Sequence, residues 1–333
     1  MRNKTLQVNL ILLVALVFSV IGGLSIGSFA FSPGDILRAL TGADIPNREI
    51  ITELRLPRVL LTSLTGAILA LSGFYMQALI KNPLADPYIM GVTSGAGLGV
   101  NFLILGLIPI SGFTALTLPF FAGLGSMLSL LLVLGLGFRT LMEDNSRLLI
   151  AGVAVSSIFT ALTGVLIYRF AESDQVRQIV FWTFGSFGNA GWEAVGVCGV
   201  LMGIALVFGW IFSRKMDILI LGDMQAQTLG MQVVRVKIAI LLVTSLIVGG
   251  TVAFTGPVGF VGMMIPHFCR SVVGISHRKN ITTAALMGAA FLTGCDVLSR
   301  AILPPAGLPA GIITAILGVP FFLYILFSRK SRL

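Results

Sequence analysis

The sequence predicts an all-α, polytopic membrane protein with about ten transmembrane helices. Of its 333 residues, 56% are hydrophobic and only 11% are charged, and the mean hydropathy is +1.00. Soluble domains carry about 25% charged residues, so this chain has too few charges to cover a water-facing surface. The charges are also segregated, since no Asp, Glu, Lys or Arg lies between Asp86 and Arg139. That gap is long enough for two spanning helices of roughly 20 residues each.

The charge-free segments place the spans in order along the chain. They are expected at about 6–31, 59–80, 88–107, 113–138, 148–168, 194–213, 238–255, 258–272, 280–299 and 308–327. The first has the basic start and apolar run of a secretory signal, but the run is too long for one, which favours a retained span. Pro266 and His267 interrupt the eighth, so its ends are left open. We expect a single transmembrane domain over residues 1–333.

The basic residues predict the orientation of the chain. If the N-terminus is cytoplasmic, roughly two thirds of the 22 lysines and arginines lie in inside segments, as the positive-inside rule requires. Both termini are then cytoplasmic. The net charge of +9 does not indicate nucleic-acid binding, because the basic residues are dispersed at span ends and form no single patch.

Small residues recur four positions apart, a spacing that lets helix backbones approach closely in a bilayer. The pairs are Gly23/Gly27, Gly95/Gly99, Gly199/Gly203 and Gly307/Gly311. We expect most of them to be helix-packing positions. Cys198, Cys269 and Cys295 fall in or beside apolar segments without the spacing of metal ligands, so we expect buried small hydrophobes.

Three segments are too polar or too broken to span. Residues 171–192 alternate polar and aromatic side chains, which predicts a short helix at the outer interface. Within a cytoplasmic segment at 213–237, residues 217–231 are expected as two short helices, broken at 221–222 and closed at 229–230. These helices are either a connector or a docking surface. The third segment is KNPLADP at 81–87, where Pro83 and Pro87 interrupt helices and Asp86 can cap the incoming one.

The sequence lacks the motifs of a catalytic or self-energised protein. None of its lysines follows a glycine, so there is no Walker A sequence to cradle ATP. Its two histidines, His267 and His277, form no metal-binding motif and are expected to be structural or solvated. Among Asp and Glu residues, only Asp296 lies within a predicted span, near its outer end. It is four residues before Arg300, and an Asp/Arg pair at this spacing is expected to link two groups at an interface and not to relay protons. This disfavours an ion-coupled secondary transporter and an intramembrane enzyme, although backbone carbonyls can hold sodium without a carboxylate.

Six blocks of the sequence resemble one family. They are LRLPRVLLTSLTGAILALSGFYMQALIKNPLADPYIMGVTSGAGLGV, LLIAGVAVSSIF, FWTFGSFGNAGW, LGDMQAQTLGM, TGPVGFVGMMIPHFCRSVVGISHRKN and LPAGIITAILGVPFFLYIL. In this order and spacing they resemble the FecCD-type permeases, the BtuC-like membrane subunits of ABC importers for iron–siderophore complexes, haem and cobalamin. The resemblance runs from about residue 50 to the C-terminus.

The resemblance implies a BtuC-like fold with ten spans in the cytoplasmic membrane of a bacterium or archaeon. Such permeases work as homodimers, with two copies of a cytoplasmic ABC ATPase beneath and one periplasmic or lipid-anchored substrate-binding protein outside. The chain would contact membrane lipid and no nucleic acid. It would be a transport subunit and not an enzyme, with no cofactor of its own and with ATP and Mg²⁺ on the ATPase. The substrate implied first is a ferric siderophore, with haem and cobalamin as alternatives.

The resemblance assigns three arginines to docking of the binding protein. Arg55, Arg58 and Arg300 match outward-facing arginines that engage acidic residues on its two lobes. A guanidinium group suits this role because it holds a carboxylate through two bonds and stays charged. The alternative is that these arginines anchor helix ends at the lipid interface.

The resemblance also implies a gate and a coupling surface on the cytoplasmic side. The expected gate residues, in the turn at 81–87 and in EDNSRLL, are Asn82, Leu84, Asn145 and Ser146. A purely structural turn would need the same prolines, so that alternative stays open. The residues expected at the ATPase contact are Asp217, Leu219, Leu221, Gly222, Met224, Leu229 and Gly230. The four apolar ones are expected to be exposed, ready for a partner groove to bury them.

Overall fold

The computed structural model describes residues 2–27, 29–43, 45–109, 114, 116–137, 145–304 and 307–327, and this part of the chain holds helices and loops without a strand. The α-helices are α1 Arg2–Ser25, α2 Pro33–Leu40, α3 Leu56–Ile80, α4 Val92–Ile104, α5 Thr117–Gly137, α6 Asn145–Phe170, α7 Ser173–Thr183, α8 Trp192–Ile220, α9 Asp223–Thr228, α10 Val233–Thr255, α11 Val261–Val273, α12 His277–Ile302 and α13 Ala310–Phe327. A π-helical segment, Ile50–Arg55, leads into α3, and a 3₁₀ helix, Pro87–Met90, precedes α4.

Each predicted span coincides with one of these helices. Among the described residues, 7 helices are long and apolar enough to cross a membrane, namely α1, α3, α5, α6, α8, α10 and α12. The remaining predicted spans are the shorter apolar helices α4, α11 and α13. The prediction of an all-α polytopic membrane protein is confirmed.

Two span ends differ most from the prediction. Helix α1 ends at Ser25 and not near residue 31, and the guanidinium group of Arg55 then lies against Gly27. Helix α8 continues to Ile220, past the predicted end at 213. The charged side chains after residue 213 do not end the helix. Helix α8 ends just before Gly222, whose φ of 125° is a conformation that glycine adopts readily and other residues rarely do.

Helix α3 is the centre of the fold. It is buried at almost every position from Leu61 to Ile80 and packs against α8, α10, α11 and α12. Glycine permits this close packing, because a Cβ on Gly66 would collide with the backbone carbonyl of Gly288 in α12. Backbone contact of this kind associates helices in a bilayer, where burial of apolar surface provides no drive.

The predicted small-residue pairs divide into packed and unpacked positions. A Cβ at the packed positions would press on another helix or loop, and these are Gly23, Gly27, Gly95, Gly99 and Gly311. Gly199 and Gly203 of α8 have open space around them, so they are exceptions to the expectation that most of these positions pack. The same spacing therefore indicates a contact only where the backbone or a side chain of another element lies opposite.

The predicted segment at 171–192 does contain a helix, α7. Its start is capped by Gln175, whose Oε1 accepts a hydrogen bond from the backbone N of Glu172 at 2.9 Å. The Gln175 Nε2 donates to the carbonyl of Ile104 at 3.0 Å, which ties α7 to the end of α4. The helix is confirmed, and its place at the outer interface stays a prediction.

Candidate functional site

Two polar clusters lie at opposite ends of α3, about 37 Å apart along this 25-residue helix. We call one the Arg58 cluster, which consists of Arg55, Arg58, Asp296 and Arg300. The other is the Lys81 cluster, which consists of Lys81, Asp223 and Lys237. The arginines that the sequence assigned to docking of the binding protein fall in the first cluster. In the second cluster, Lys81 begins the predicted gate turn and Asp223 lies within the predicted ATPase contact.

The Arg58 cluster is built on one buried carboxylate. Arg58 donates from Nη2 to Oδ1 of Asp296 at 2.7 Å and from Nε to both carboxylate oxygens at 3.1 Å. Arg300 Nε lies 3.2 Å from Asp296 Oδ2, one helical turn further along α12. The Asp296 side chain is 1% exposed, against 22% for Arg58 and 10% for Arg300. The predicted pairing of Asp296 with Arg300 is confirmed, and Arg58 is its second partner.

Two of the cluster's arginines also hold the loop after α1. Arg55 donates to the carbonyls of Leu24, Ser25 and Phe29 at 2.5 to 3.1 Å and is only 7% exposed. Arg300 Nη1 donates to the carbonyls of Gly23 and Ile26. Arg55 and Arg300 therefore have backbone partners within the chain, and their assignment to docking of the binding protein stays a prediction. Their guanidinium groups attach the loop after α1 to the end of the helix bundle.

The gate turn, residues 81–87, begins where α3 ends. Lys81 takes the left-handed conformation at φ 57°, which stops the helix. Asn82 is exposed, and its Oδ1 accepts a hydrogen bond from the backbone N of Leu84 at 2.9 Å. The predicted cap is confirmed, since Asp86 Oδ1 accepts from the backbone N of Tyr88 at 2.8 Å. Burial raises the pKa of the Asp86 carboxyl to about 6, although this hydrogen bond opposes the shift.

The second set of predicted gate residues lies at the start of α6. Asn145 and Ser146 open this helix, and their side chains lie outside the described part of the structure. Helix α6 does pack on the 3₁₀ helix that follows the gate turn, with Gly152 against the carbonyl of Ile89. The contact between α6 and the 3₁₀ helix therefore connects the element that begins at Asn145 with the element that follows the gate turn.

The docking segment, residues 217–231, differs from the prediction in its first half. The expected first short helix is the last turn of α8, whereas the expected second is the separate helix α9. The predicted break at 221–222 is confirmed, and Gly230, with φ 80°, closes the segment as expected. Long helix α8 thus connects the docking segment rigidly to the transmembrane bundle.

The apolar residues of the docking segment are exposed with one exception. Leu221, Met224 and Leu229 are 58%, 82% and 64% exposed. Leu219 is fully buried against the bundle, so its prediction as an exposed contact is wrong. It lies on the inner side of the last turn of α8, where the helix still packs on its neighbours. Each of the three exposed side chains offers apolar area that a partner protein can cover.

Asp217 attaches the docking segment to α12. Its Oδ1 accepts from the backbone N of His277 at 2.9 Å and lies 2.7 Å from His277 Nδ1. A carboxylate at this place caps the start of α12. His277 is buried, with Phe74 against the ring, which confirms that it is structural. Its partner is 60 residues away, and no motif indicated the pair.

Asp223 is a functional candidate that the sequence did not indicate. It lies 2.8 Å from Lys81 Nζ and 2.6 Å from Lys237 Nζ. Burial alone would raise the pKa of the Asp223 carboxyl, but its hydrogen bonds and charge attraction to the two lysines outweigh this and lower it. The carboxylate therefore stays ionised at neutral pH. The available signals were weak, namely an acidic residue after Gly222 and a lysine at the start of a span.

A cavity of about 360 Å³ lies between Tyr88, the 256–260 loop and the start of α13. The Tyr88 hydroxyl donates to the carbonyl of Val258 and accepts from its backbone N, both at 3.0 Å. Non-helical backbone at this depth is tolerated in a membrane protein where it is buried or lines a water-filled cavity.

The described residues contain no group of three His, Cys, Asp or Glu side chains close enough to hold a metal ion. Cys198, Cys269 and Cys295 are free thiols buried in the bundle, as expected.

Comparison with known proteins identifies this arrangement. The chain is 34% identical over 326 residues to the hemin transport system permease protein HmuU of Yersinia pestis. The alignment covers 96% of this chain and 95% of that protein. It is 36% identical over 333 residues to the vitamin B12 import system permease protein BtuC of Klebsiella pneumoniae. That alignment covers 99% of this chain and 95% of the relative. A solved structure described as the inward-facing conformation of an ABC transporter assigned to the metal-chelate type superposes with a TM-score of 0.84 at 30% identity. The match covers 95% of this chain and 97% of that chain.

The family assignment agrees with the architecture. The model of the FecCD transport family matches residues 11–328, which include all the predicted spans except the first residues of α1. The helices, the clusters at both ends of α3 and the docking segment all lie within this match. The chain belongs to the FecCD transport family and is a non-catalytic permease subunit of an ABC importer.

Proposed function

We propose that this permease translocates a metal chelate, with an iron chelate of the ferric siderophore type as the first candidate and haem or cobalamin as the alternatives. The observation that carries the substrate class is the similarity along 95% of the chain to a metal-chelate type transporter. Relatives named for hemin and for vitamin B12 support the same class. These ligands share a metal held in an organic chelator or macrocycle.

The proposed orientation places the Lys81 end in the cytoplasm. The N-terminus lies at this end, because Asn9 of α1 accepts a hydrogen bond from Thr283 near the start of α12. Basic residues concentrate there, which supports a cytoplasmic location by the positive-inside rule. Those in the described part are Arg2, Lys4, Lys81, Arg147, Arg214, Lys215, Arg235, Lys237, Arg270, Arg278 and Lys279. The Arg58 end then faces outward, and the multi-pass chain lies in the cytoplasmic membrane.

The proposed assembly is a homodimer with two ATPase copies and one substrate-binding protein. The cavity of about 360 Å³ in one chain is at the lower end of the 300–1,000 Å³ found for small-molecule sites. A large chelate needs more room, and a path between two copies supplies it. Each ATPase would cover Leu221, Met224 and Leu229 on one docking segment.

The proposed mechanism links the two ends of α3. The binding protein docks at the Arg58 cluster, where its acidic residues compete with Asp296 for Arg58. ATP-driven closure of the ATPases displaces the docking segments, and the movement opens the gate at residues 82, 84, 145 and 146. The permease supplies the path and two stable arrangements, whereas the energy that shifts the populations comes from the ATPase.

Competition for uptake tests the substrate class. The permease is reconstituted with its ATPase and binding protein in proteoliposomes, and ATP-dependent uptake of labelled ferric siderophore is measured against excess haem or cobalamin. We expect saturable siderophore uptake that neither competitor reduces. If haem or cobalamin is taken up and the siderophore is not, that ligand is the substrate. Uptake of none of the three would contradict the metal-chelate class.

A further inference from the structure

One carboxylate at the Lys81 end connects three separate elements. Asp223 is the first residue of α9, and its Oδ1 accepts from Lys81 Nζ at 2.8 Å while its Oδ2 accepts from Lys237 Nζ at 2.6 Å. Lys81 ends α3, and Lys237 lies in the second turn of α10. One side chain thereby fixes the docking segment to two spanning helices.

Lys81 is also the residue with which the gate turn begins. Its left-handed backbone is uncommon for a residue other than glycine and marks a point where the chain direction changes. Asn82 and Leu84 follow at once. Helix α9 packs against α8 and α10, so its ion pair with Lys81 is a direct connection to the gate turn. A displacement of Asp223 therefore acts on the first residue of that turn.

The burial of the three side chains makes this connection firm. Lys237 is fully buried, Asp223 is 18% exposed and Lys81 is 26% exposed. Charge-assisted hydrogen bonds are stronger than neutral ones, and salt screens them less when they are partly buried. Lys237 holds Asp223 from inside the bundle, which leaves Lys81 as the partner nearest to water.

We propose that Asp223 is a positioning residue that transmits the movement of the docking segment to the gate turn through Lys81. The inference rests on the proposed function, since it takes α9 as part of the surface that the ATPase displaces. With the ion pair in place, a shift of α9 carries Lys81 and the gate turn with it. Without the ion pair, the ATPase still docks and hydrolyses ATP, but the gate turn does not follow.

The first test compares uptake with ATP hydrolysis in proteoliposomes that contain the full transporter. Lys81→Gln and Asp223→Asn are expected to lower the substrate transported per ATP about fivefold or more, within the range of typical coupling between sites. The double variant should be no worse than Asp223→Asn, because both changes break one connection. Lys81→Arg should stay within about twofold of wild type, as should the control Lys279→Gln, an exposed lysine at the same end.

The second test uses the purified permease without partners. Hydrogen exchange of the backbone amides at 82–90 is expected to be faster in Lys81→Gln and Asp223→Asn than in wild type and Lys279→Gln. Faster exchange supports the connection independently of transport. Lys81→Gln keeps the Asp223–Lys237 pair, so it tests the proposal even where Asp223→Asn folds poorly.

Two results separate this inference from the proposed function. Transport per ATP within twofold of wild type in Lys81→Gln, together with unchanged exchange at 82–90, would overturn the role of Asp223. If wild type shows no ATP-driven uptake at all, the proposed function fails, and the exchange measurement alone then decides whether Asp223 controls the turn.

Discussion

Arg58 and Asp296 form a doubly hydrogen-bonded ion pair between the start of α3 and the end of α12, although they are 238 positions apart in the sequence. The same carboxylate also meets Arg300. A buried acid that serves two arginines fixes the relative position of two spanning helices at the end where the binding protein is proposed to dock. Stability and the proposed docking of the binding protein therefore depend on overlapping groups.

Replacement of the shared carboxylate should destabilise the fold. Asp296→Asn leaves two largely buried arginines without their counter-charge, and breaking a buried pair in this way costs about 3 kcal/mol or more. We expect a clearly lower melting temperature in detergent, measured beside Glu53→Gln, which changes an exposed carboxylate near the same end. Equal melting temperatures for the two variants would show that the pair contributes no net stability.

Removal of the Arg58 charge should weaken docking of the binding protein. Arg58→Gln leaves Asp296 paired with Arg300, so the fold is expected to persist while one charge-assisted contact to the partner is lost. Such a contact is worth about 1.5–3 kcal/mol, which corresponds to a tenfold or larger rise in Kd. The control is Arg38→Gln, an exposed arginine on α2. The same affinity in both variants, measured by surface binding, would remove Arg58 from the docking site.

Two apolar residues of the docking segment should behave in opposite ways. Leu219→Ala opens a cavity in the bundle and should cost about 3 kcal/mol of stability. Met224→Asp changes an 82% exposed side chain, so it should leave the melting temperature unchanged and abolish co-purification with the ATPase. Normal ATPase association of the Met224 variant would contradict the assignment of this surface.

Two glycine substitutions test the difference between packed and open positions. Gly66→Ala drives a methyl group against the Gly288 carbonyl and should destabilise by roughly 1–3 kcal/mol or more. Gly203→Ala meets no atom and should be neutral or stabilising by up to about 1 kcal/mol, because alanine favours helix. Thermal unfolding of both variants in the same detergent gives the comparison, and a stable Gly66 variant would refute the close packing of α3 on α12.

The number and order of the spans could be predicted because the bilayer excludes charge. Long charge-free segments are sufficient evidence for a helix in lipid, where the backbone must satisfy its own hydrogen bonds. Helix ends could not be predicted in the same way. Hydropathy continues past Ser25, where α1 ends, and charges at Arg214 and Lys215 do not interrupt α8.

The partners of the polar residues could not be predicted, because they are set by the packing of distant helices. Asp296 was recognised as the partner of Arg300, one turn away, but not of Arg58. Nothing in the spacing connects Asp217 with His277 or Asp223 with Lys81. The burial of single residues could not be predicted either. Leu219 and Leu221 are two positions apart, but Leu219 is buried in the bundle whereas Leu221 is exposed.

The central claim is that this chain is a passive path driven by a separate ATPase. The direct measurement is accumulation of substrate in proteoliposomes against its gradient, with the binding protein present and with or without the ATPase and ATP. The account predicts accumulation only when both ATPase and ATP are supplied. Sustained accumulation by the permease and binding protein alone would contradict it.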